Sequence, residues 1–209
     1  MTLKSLHTSR LVPVAVIPEL KQALPLAETL LSAGLPHIEI TLRTACALEA
    51  MKAIRKEFPE MMVGAGTIID PETIPELVDM GVAFGVSPGL NPQVIERAQS
   101  LGFLMIPGVI TPGEVERGMA LGLKLLKFFP AEAAGGAKML KALAGPYGHT
   151  GVRFVPTGGI NINNAQQYLD LKVTAAIGGS WFVDQKLVAD GAFEKIGNLT
   201  REALALTSG

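Results

Sequence analysis

The chain has 209 residues, 48% of them hydrophobic, and its 18 basic and 19 acidic residues leave a net charge of −1. This balance gives no broad basic field for nucleic acid or an anionic membrane, and no stretch approaches the roughly 18 apolar residues of a membrane span. The single cysteine, Cys46, excludes an internal disulfide and a cysteine-rich zinc site. No linker-like stretch divides the chain, so we predict one domain over residues 1–209. Residues 1–7 lack the apolar core of a secretory signal, and we expect a cytoplasmic protein.

Short apolar runs alternate with longer segments of helical periodicity, and the alternation recurs about every 20 to 27 residues. We predict eight strands, at residues 12–17, 37–43, 61–67, 83–87, 103–107, 125–129, 152–157 and 174–180. We predict a helix after each strand, at residues 20–33, 45–58, 71–80, 92–101, 112–121, 137–144, 163–169 and 192–206. Asp70, Asn91 and Thr111 each precede a proline, which is typical of a helix start.

Eight strand–helix units predict a single closed parallel (β/α)8 barrel, the TIM barrel, in the α/β class. The alternative is an open doubly wound sheet, which would place a glycine-rich turn after the first strand. Residues 17–20 instead read Ile-Pro-Glu-Leu. In such barrels the chemistry lies at the carboxyl ends of the strands, so inward-pointing polar residues there indicate the functional site.

The second predicted strand carries three polar residues on one face. Alternation of side chains puts Glu39, Thr41 and Arg43 towards the interior, while the aliphatic residues between them should pack against helices. A buried ion pair between Glu39 and Arg43 is one interpretation, but residues four apart on a strand are about 13 Å apart. Separate roles are favoured, with Arg43 near the mouth binding a carboxylate and Glu39 deeper as a proton carrier.

Lys127 lies in the otherwise apolar run Leu-Leu-Lys-Phe-Phe-Pro of residues 125–130. One interpretation is a lysine whose stem covers apolar neighbours while its charge reaches water. The other is a buried lysine. Burial disfavours the ammonium form and leaves a free amine, which attacks a ketone and forms an imine. We favour the second interpretation, because Glu39 and Arg43 should share the same cavity.

Two glycine pairs, Gly158-Gly159 and Gly178-Gly179, follow the last two predicted strands, and Ser180 follows the second pair. Each pair alone is typical of a tight turn. Two pairs at adjacent strand ends, where barrels often bind phosphate, favour an anion site made by backbone N–H groups and the Ser180 hydroxyl. The ligand would then be phosphorylated at the end remote from the lysine.

Three other functions would use parts of the same residue set. A metal-dependent aldolase needs ligands, but His7, His37 and His149 are scattered, with no pair at ligand spacing. A phosphosugar isomerase or epimerase barrel would use the glycine loops without requiring Lys127, as would a non-catalytic phosphosugar sensor. His37 falls at the entry end of its strand, where a structural role is expected.

Six segments taken together resemble the bacterial KHG/KDPG aldolases, in order and across almost the whole chain. They are EITLRT (39–44), GAGT (64–67), SPG (87–89), KFFPAE (127–132), PTGGI (156–160) and GGSW (178–181). The resemblance implies a class I aldolase that reversibly cleaves 2-keto-3-deoxy-6-phosphogluconate (KDPG) to pyruvate and glyceraldehyde 3-phosphate in the Entner–Doudoroff route. Cleavage of 2-keto-4-hydroxyglutarate (KHG) to pyruvate and glyoxylate is a second expectation. The resemblance further implies a homotrimer with small-molecule substrates and without a metal or cofactor.

The resemblance also implies a role for each matching residue. Lys127 matches the Schiff-base lysine, Glu39 the acid/base glutamate, and Arg43 and Thr67 the residues that hold the pyruvate carboxylate. Pro88, Phe129 and Thr157 match pocket-lining positions, and Gly158, Gly159, Gly179 and Ser180 match the phosphate-binding loops. Thr157 favours the gluconate substrate over its galactonate epimer. Cys46 receives no role, and Trp181 either covers the phosphate pocket or packs beneath the C-terminal helix.

Overall fold

The computed structural model describes residues 9–207, so His7 lies outside the described residues. The strands within this range are β1 (Leu11–Ala15), β2 (His37–Thr41), β3 (Met62–Gly66), β4 (Phe84–Val86), β5 (Met105–Ile106), β6 (Gly108–Val109), β7 (Leu125–Phe128), β8 (Arg153–Pro156) and β9 (Ile177–Gly179). The helices are α1 (Ala23–Ser32), α2 (Ala47–Glu57), α3 (Ile74–Asp79), α4 (Pro92–Ser100), α5 (Pro112–Ala120), α6 (Gly136–Ala144), α7 (Ala165–Leu169), α8 (Gln185–Ala189) and α9 (Phe193–Ala205). Short 3-10 turns cover Leu20–Gln22, Pro71–Thr73 and Gly148–Thr150.

All paired strands are parallel and form two hydrogen-bonded groups. Six strands lie in the order β5-β4-β3-β2-β1-β9, and three lie in the order β6-β7-β8. Isolated parallel bridges pair Phe154 with Thr174 and Thr157 with Gly178, between β8 and the segment that includes β9. The architecture is therefore an α/β fold in which a curled parallel sheet carries helices, as the alternation of apolar runs predicts.

Two features of the elements differ from the sequence prediction. The predicted fifth strand, residues 103–107, is shortened to β5, and an unpredicted strand, β6, follows Pro107, which interrupts the ladder because proline has no N–H to donate. The Pro107 carbonyl still accepts a hydrogen bond from the N–H of Lys127 at 2.8 Å. Helix α8 was not predicted, although Asp184 caps it by accepting hydrogen bonds from two backbone N–H groups. The other predicted elements are present, with ends shifted by up to about three residues.

The predicted helix starts are made by side-chain caps. Asn91 accepts a hydrogen bond from the N–H of Gln93 at 3.0 Å and starts α4. Thr111 accepts one from the N–H of Glu114 at 3.3 Å, while the Glu114 carboxylate accepts from the N–H of Thr111 at 2.8 Å. This reciprocal capping box starts α5. Asp70 caps a 3-10 turn that leads into α3.

The buried apolar residues form two clusters on opposite faces of the strands. Ile38 and Ile40 of β2 belong to the cluster that includes the helices, and so do Leu126 and Phe128 of β7. Leu125 belongs to the other cluster, inside the sheet. This confirms the predicted orientation of both strands. Because side chains alternate along a strand, the polar residues between these apolar ones face away from the helices. In residues 9–207, every helix is too short or too polar to cross a bilayer.

His37 starts β2 at the end of the sheet where the strands begin, and it is 1% exposed. Its Nε2 lies 2.5 Å from the carbonyl oxygen of Leu11. Burial lowers the pKa of His37, and the hydrogen bond to Leu11 opposes that effect only in part. The buried ring joins β1 to β2, which agrees with the structural role expected from the sequence.

Candidate active site

A cavity of about 300 Å³ opens at the carboxyl ends of the strands. All the residues with a predicted role line it: Glu39, Arg43, Thr67, Pro88, Lys127, Phe129, Thr157, Gly158, Gly159, Gly179 and Ser180. They come from β2, β7 and β9, and from the segments that follow β2, β3, β4, β7, β8 and β9. Parallel strands end at the same edge, so residues distant in sequence meet there. The structure thus brings these residues together, while their individual roles stay predictions.

Lys127 and Glu39 form the buried part of this cavity. Both residues are buried, and Lys127 Nζ lies 3.8 Å from Glu39 Oε1. The Phe129 ring lies against the same amine, with its centroid 4.8 Å from Nζ. Glu39 Oε1 makes no hydrogen bond within the described residues. The amine therefore points inward, and a carboxylate lies slightly beyond hydrogen-bond length from it.

Arg43 and Thr67 lie nearer the mouth of the cavity. Arg43 is exposed and Thr67 is half-buried, whereas Glu39 is 3% exposed, so the predicted difference in depth is present. Glu39 is paired with Lys127 and not with Arg43, which removes the interpretation of a Glu39–Arg43 ion pair. Thr67 has a φ of +64°, a left-handed conformation that is unfavourable for a β-branched residue. Such strained backbone is concentrated at functional sites.

The two glycine loops, after β8 and at the end of β9, line the same cavity as Arg43. Gly158 and Gly159 have φ values of +102° and +78°, which favour glycine. A Cβ at Gly179 would lie 1.8 Å from Cζ3 of Trp181, so the indole packs directly on this glycine. Trp181 also meets Phe182 edge to face, with ring centroids 4.8 Å apart, and it does not line the cavity. Trp181 therefore packs on Gly179 and Phe182.

The Gly158-Gly159 loop is anchored by residues that had no predicted role. The N–H of Glu132 donates to the carbonyl of Gly158 at 3.0 Å, and the hydroxyl of Tyr168 donates to the Glu132 carboxylate. Burial, followed by that carboxylate, raises the pKa of Tyr168 above its usual range. Asn164 donates to the carbonyl of Gly159 at 3.2 Å. The alternation of strands and helices does not predict these contacts, because Glu132 is distant in sequence from its two partners, and because Glu132 and the two glycines lie in loops.

Thr41 and Gly178 also line the cavity. Thr41 has no role in the sequence prediction, whereas Gly178 belongs to the second glycine pair of the predicted anion site. Thr41 is buried between Glu39 and Arg43 on β2, and its hydroxyl donates to the carbonyl of Ala15 at 3.2 Å. Gly178 lines the cavity beside Thr157. Cys46 lies outside the cavity lining, and its thiol donates to the carbonyl of Ile17 at 3.3 Å. In residues 9–207, no three His, Cys, Asp or Glu side chains are grouped to hold a metal ion.

A buried amine and a buried carboxylate that face each other at the ends of parallel strands define the site of a class I aldolase, an imine-forming carbon–carbon lyase. The comparison with known proteins leads to the same class. The model of the KDPG and KHG aldolase family matches residues 3–199, and the chain belongs to this family.

Individual relatives are similar over nearly their whole length. The KHG/KDPG aldolase of Escherichia coli K12 is 45% identical over 199 residues, which are 95% of this chain and 92% of that protein. The KDPG aldolase structure from Legionella pneumophila, with pyruvate captured at low pH as a covalent carbinolamine intermediate, has a TM-score of 0.92 at 39% identity. The alignment covers 96% of this chain and 97% of the Legionella chain. The aldolase of Zymomonas mobilis ZM4 with 3-phosphoglycerate has a TM-score of 0.87 at 40% identity, covering 97% and 94%.

Proposed function

We propose that the protein reversibly cleaves KDPG to pyruvate and glyceraldehyde 3-phosphate, and that it also cleaves KHG to pyruvate and glyoxylate. The observation that carries the proposal is the buried Lys127 amine, 3.8 Å from the Glu39 carboxylate inside the strand-end cavity. The relatives from Legionella and Zymomonas, bound to pyruvate and to 3-phosphoglycerate, support the same two-part substrate.

In the proposed mechanism, the Lys127 ammonium gives up one proton and the free amine attacks the keto carbon of the substrate. The resulting hydroxyl leaves as water with that proton, which forms a protonated imine. Glu39, directly or through water, removes the proton from the C4 hydroxyl. The C3–C4 bond then breaks, and its electron pair enters the iminium to give an enamine while the aldehyde departs. Glu39 returns a proton to C3, and water hydrolyses the imine to release pyruvate.

The remaining cavity residues orient the substrate. Arg43 and Thr67, at the mouth beside Glu39, bind the pyruvate carboxylate, for which a planar guanidinium is well suited. Pro88, Phe129 and Thr157 line the walls, and Phe129 also shields the Lys127 amine from water. The phosphate lies on the backbone of Gly158, Gly159 and Gly179 and on the Ser180 hydroxyl. A volume of about 300 Å³ suits a ligand of this size.

We also propose that the whole chain, residues 1–209, forms one closed (β/α)8 barrel. The six-stranded group ends at β5, which continues through Pro107 into β6 of the three-stranded group. At the other edge, the Phe154–Thr174 and Thr157–Gly178 bridges join β8 to the segment of β9. Together these connections support a continuous circle of strands.

A cytoplasmic homotrimer is the proposed form of the protein. Ile69 is 66% exposed and borders a shallow surface depression lined also by Ile68, Pro88 and Leu90. An exposed apolar surface of this kind supports a contact between subunits. Sedimentation velocity of the full chain tests the assembly, and a mass of one subunit at micromolar concentration would reject it. The single cysteine supports a reducing compartment.

Borohydride reduction in the presence of pyruvate tests the imine. We expect a stable pyruvate adduct on Lys127 by peptide mass spectrometry, unaffected by chelators, and its loss in Lys127→Ala. Lys124→Ala, an exposed lysine three residues earlier, is the matched control and should keep the adduct. If pyruvate binds and no adduct can be trapped, the imine mechanism is rejected, and an isomerase, epimerase or sensor function is favoured.

The choice of substrate is tested by turnover. We expect KDPG to be cleaved with a higher kcat/KM than its galactonate epimer, 2-keto-3-deoxy-6-phosphogalactonate, and KHG to be cleaved as a second substrate. A preference for the galactonate epimer would make the protein an aldolase of that substrate, with the same imine chemistry.

A further inference from the structure

Strand β3 presents two glycines, Gly64 and Gly66, on the same side of the strand as the Glu39 carboxylate. In the ladder, Gly64 pairs with Glu39 on one side and with Phe84 on the other. A Cβ at Gly64 would lie 2.2 Å from the Phe84 ring, and a Cβ at Gly66 would lie 2.3 Å from Glu39 Oε1. The two glycines thus make room for one aromatic ring and one carboxylate.

The position of the Glu39 carboxylate depends on the space above Gly66. The Cδ and Cγ atoms of Glu39 would also lie 3.0 Å from an added Cβ, so the whole end of the side chain rests on this glycine. Oε1 is buried and receives no hydrogen bond within the described residues, so packing against Gly66 and the charge of Lys127 determine where it lies. Its charged neighbour is Lys127, at 3.8 Å.

We propose that Gly66 is a positioning residue of the aldolase reaction. Because it has no side chain, the Glu39 carboxylate lies across β3, at the height of the Lys127 amine. The inference rests on the proposed acid/base role of Glu39. It assigns to Gly66 a function that acts through Glu39 and requires no contact of Gly66 with the substrate.

A methyl group at position 66 displaces the carboxylate without disrupting the strand. The three atoms nearest to the added carbon all belong to the flexible end of Glu39, and Gly66 does not have a positive φ. The space beneath Glu39 is a cavity of only about 10 Å³ between Phe84 and Lys127, about the size of one water molecule. A carboxyl group does not fit there, so it moves outward into the large cavity.

The pyruvate half-reaction isolates the affected step. Lys127 attacks the keto carbon of pyruvate and water leaves, which gives the iminium. Glu39 then takes a proton from the methyl carbon, and the C–H electron pair forms the enamine. In D2O the return of a deuteron labels the methyl group, so deuterium exchange reports proton transfer. Borohydride reduction reports the imine alone.

In Gly66→Ala we expect trapping of pyruvate on Lys127 within about threefold of the wild-type protein. We expect deuterium exchange to fall on the order of 100-fold, as for a catalytic group misplaced by about 1 Å. Gly113→Ala on α5, where an added Cβ meets nothing within 4 Å, is the control and should change neither rate. Unchanged exchange together with normal trapping in Gly66→Ala would overturn the proposal.

A double-mutant cycle tests whether the loss of deuterium exchange in Gly66→Ala acts through Glu39. Glu39→Gln keeps the side-chain shape but removes the base, so Gly66→Ala should lower exchange no further in that background. A second large fall would overturn the proposal.

If Gly66→Ala alone does not fold, Glu39→Asp should restore its thermal stability, because the shorter side chain leaves room for the methyl group. No restoration would place the clash elsewhere and overturn the proposal. Absence of trapping in the wild-type protein would instead reject the proposed function, and this inference with it.

Discussion

Replacing Lys127 by methionine, Glu39 by glutamine, or both tests whether these side chains interact as charges inside the protein. Each single variant leaves one buried charge without its partner, whereas the double variant leaves none. Two unit charges 3.8 Å apart interact by about 4 kcal/mol at an effective dielectric constant of about 20. The distance is too long for a direct hydrogen bond. We therefore expect a coupling free energy between Lys127 and Glu39 of at most about 4 kcal/mol and at least about 2 kcal/mol.

Urea denaturation of the four proteins at pH 7 and one protein concentration measures this coupling free energy. We expect the double variant to be more stable than the sum of the single effects by about 2 to 4 kcal/mol, or roughly 4 to 16 °C in Tm for a chain of this size. The exposed pair Lys21–Glu19, at 2.9 Å, is the control and should couple by less than about 1 kcal/mol. A coupling of Lys127 and Glu39 below about 0.5 kcal/mol would refute the reasoning.

Three further changes have expected outcomes. Tyr168→Phe removes the donor to Glu132 behind the glycine loop, so the KM for KDPG should rise severalfold while KHG, which has no phosphate, is cleaved unchanged. An equal rise in the KM for both substrates would contradict a role of Tyr168 in phosphate binding. Gly159→Ala places a Cβ 2.7 Å from that of Glu132 at a φ of +78°, and we expect at least about tenfold weaker KDPG binding with pyruvate trapping retained. Burial lowers the pKa of His37, so the unfolded chain binds more protons below about pH 6.5 and stability falls as the pH decreases through that range. His37→Gln should flatten this part of a plot of Tm against pH, and an unchanged slope would assign it to other groups.

Most of the fold was predictable because its periodic features are local. Period-two alternation in β2 and β7 correctly placed Ile40, Leu126 and Phe128 against the helices. The prediction ends the fifth strand at Pro107, whereas the structure has a further strand, β6, beyond it, because two residues are too few to show a period. Helix α8 was missed because its five residues are too few to give a helical period.

The candidate site was predictable to the extent that each residue lies at the end of a strand. Lys127 and Glu39 stood out as charges in apolar runs, and the structure places both in one cavity. Tyr168 did not stand out, because a buried aromatic residue on a short helix is typical of core packing. Gly66 did not stand out as a neighbour of Glu39, because only the register of β2 against β3 brings the two together. Register is a tertiary property that no local pattern contains.

The two ends of the cavity are held in different ways, and this has a consequence for substrate choice. Lys127 and Glu39 lie within β7 and β2, where ladder hydrogen bonds restrict the backbone on both sides. Gly158 and Gly159 lie in a loop that is held by a hydrogen bond from the backbone N–H of Glu132 and by contact with the Glu132 side chain. Substitutions in such a loop alter which aldehyde fits, while the imine chemistry of the strands stays intact. The pattern of strands therefore predicts the reaction type, whereas the substrate isomer depends on loop contacts that the pattern does not contain.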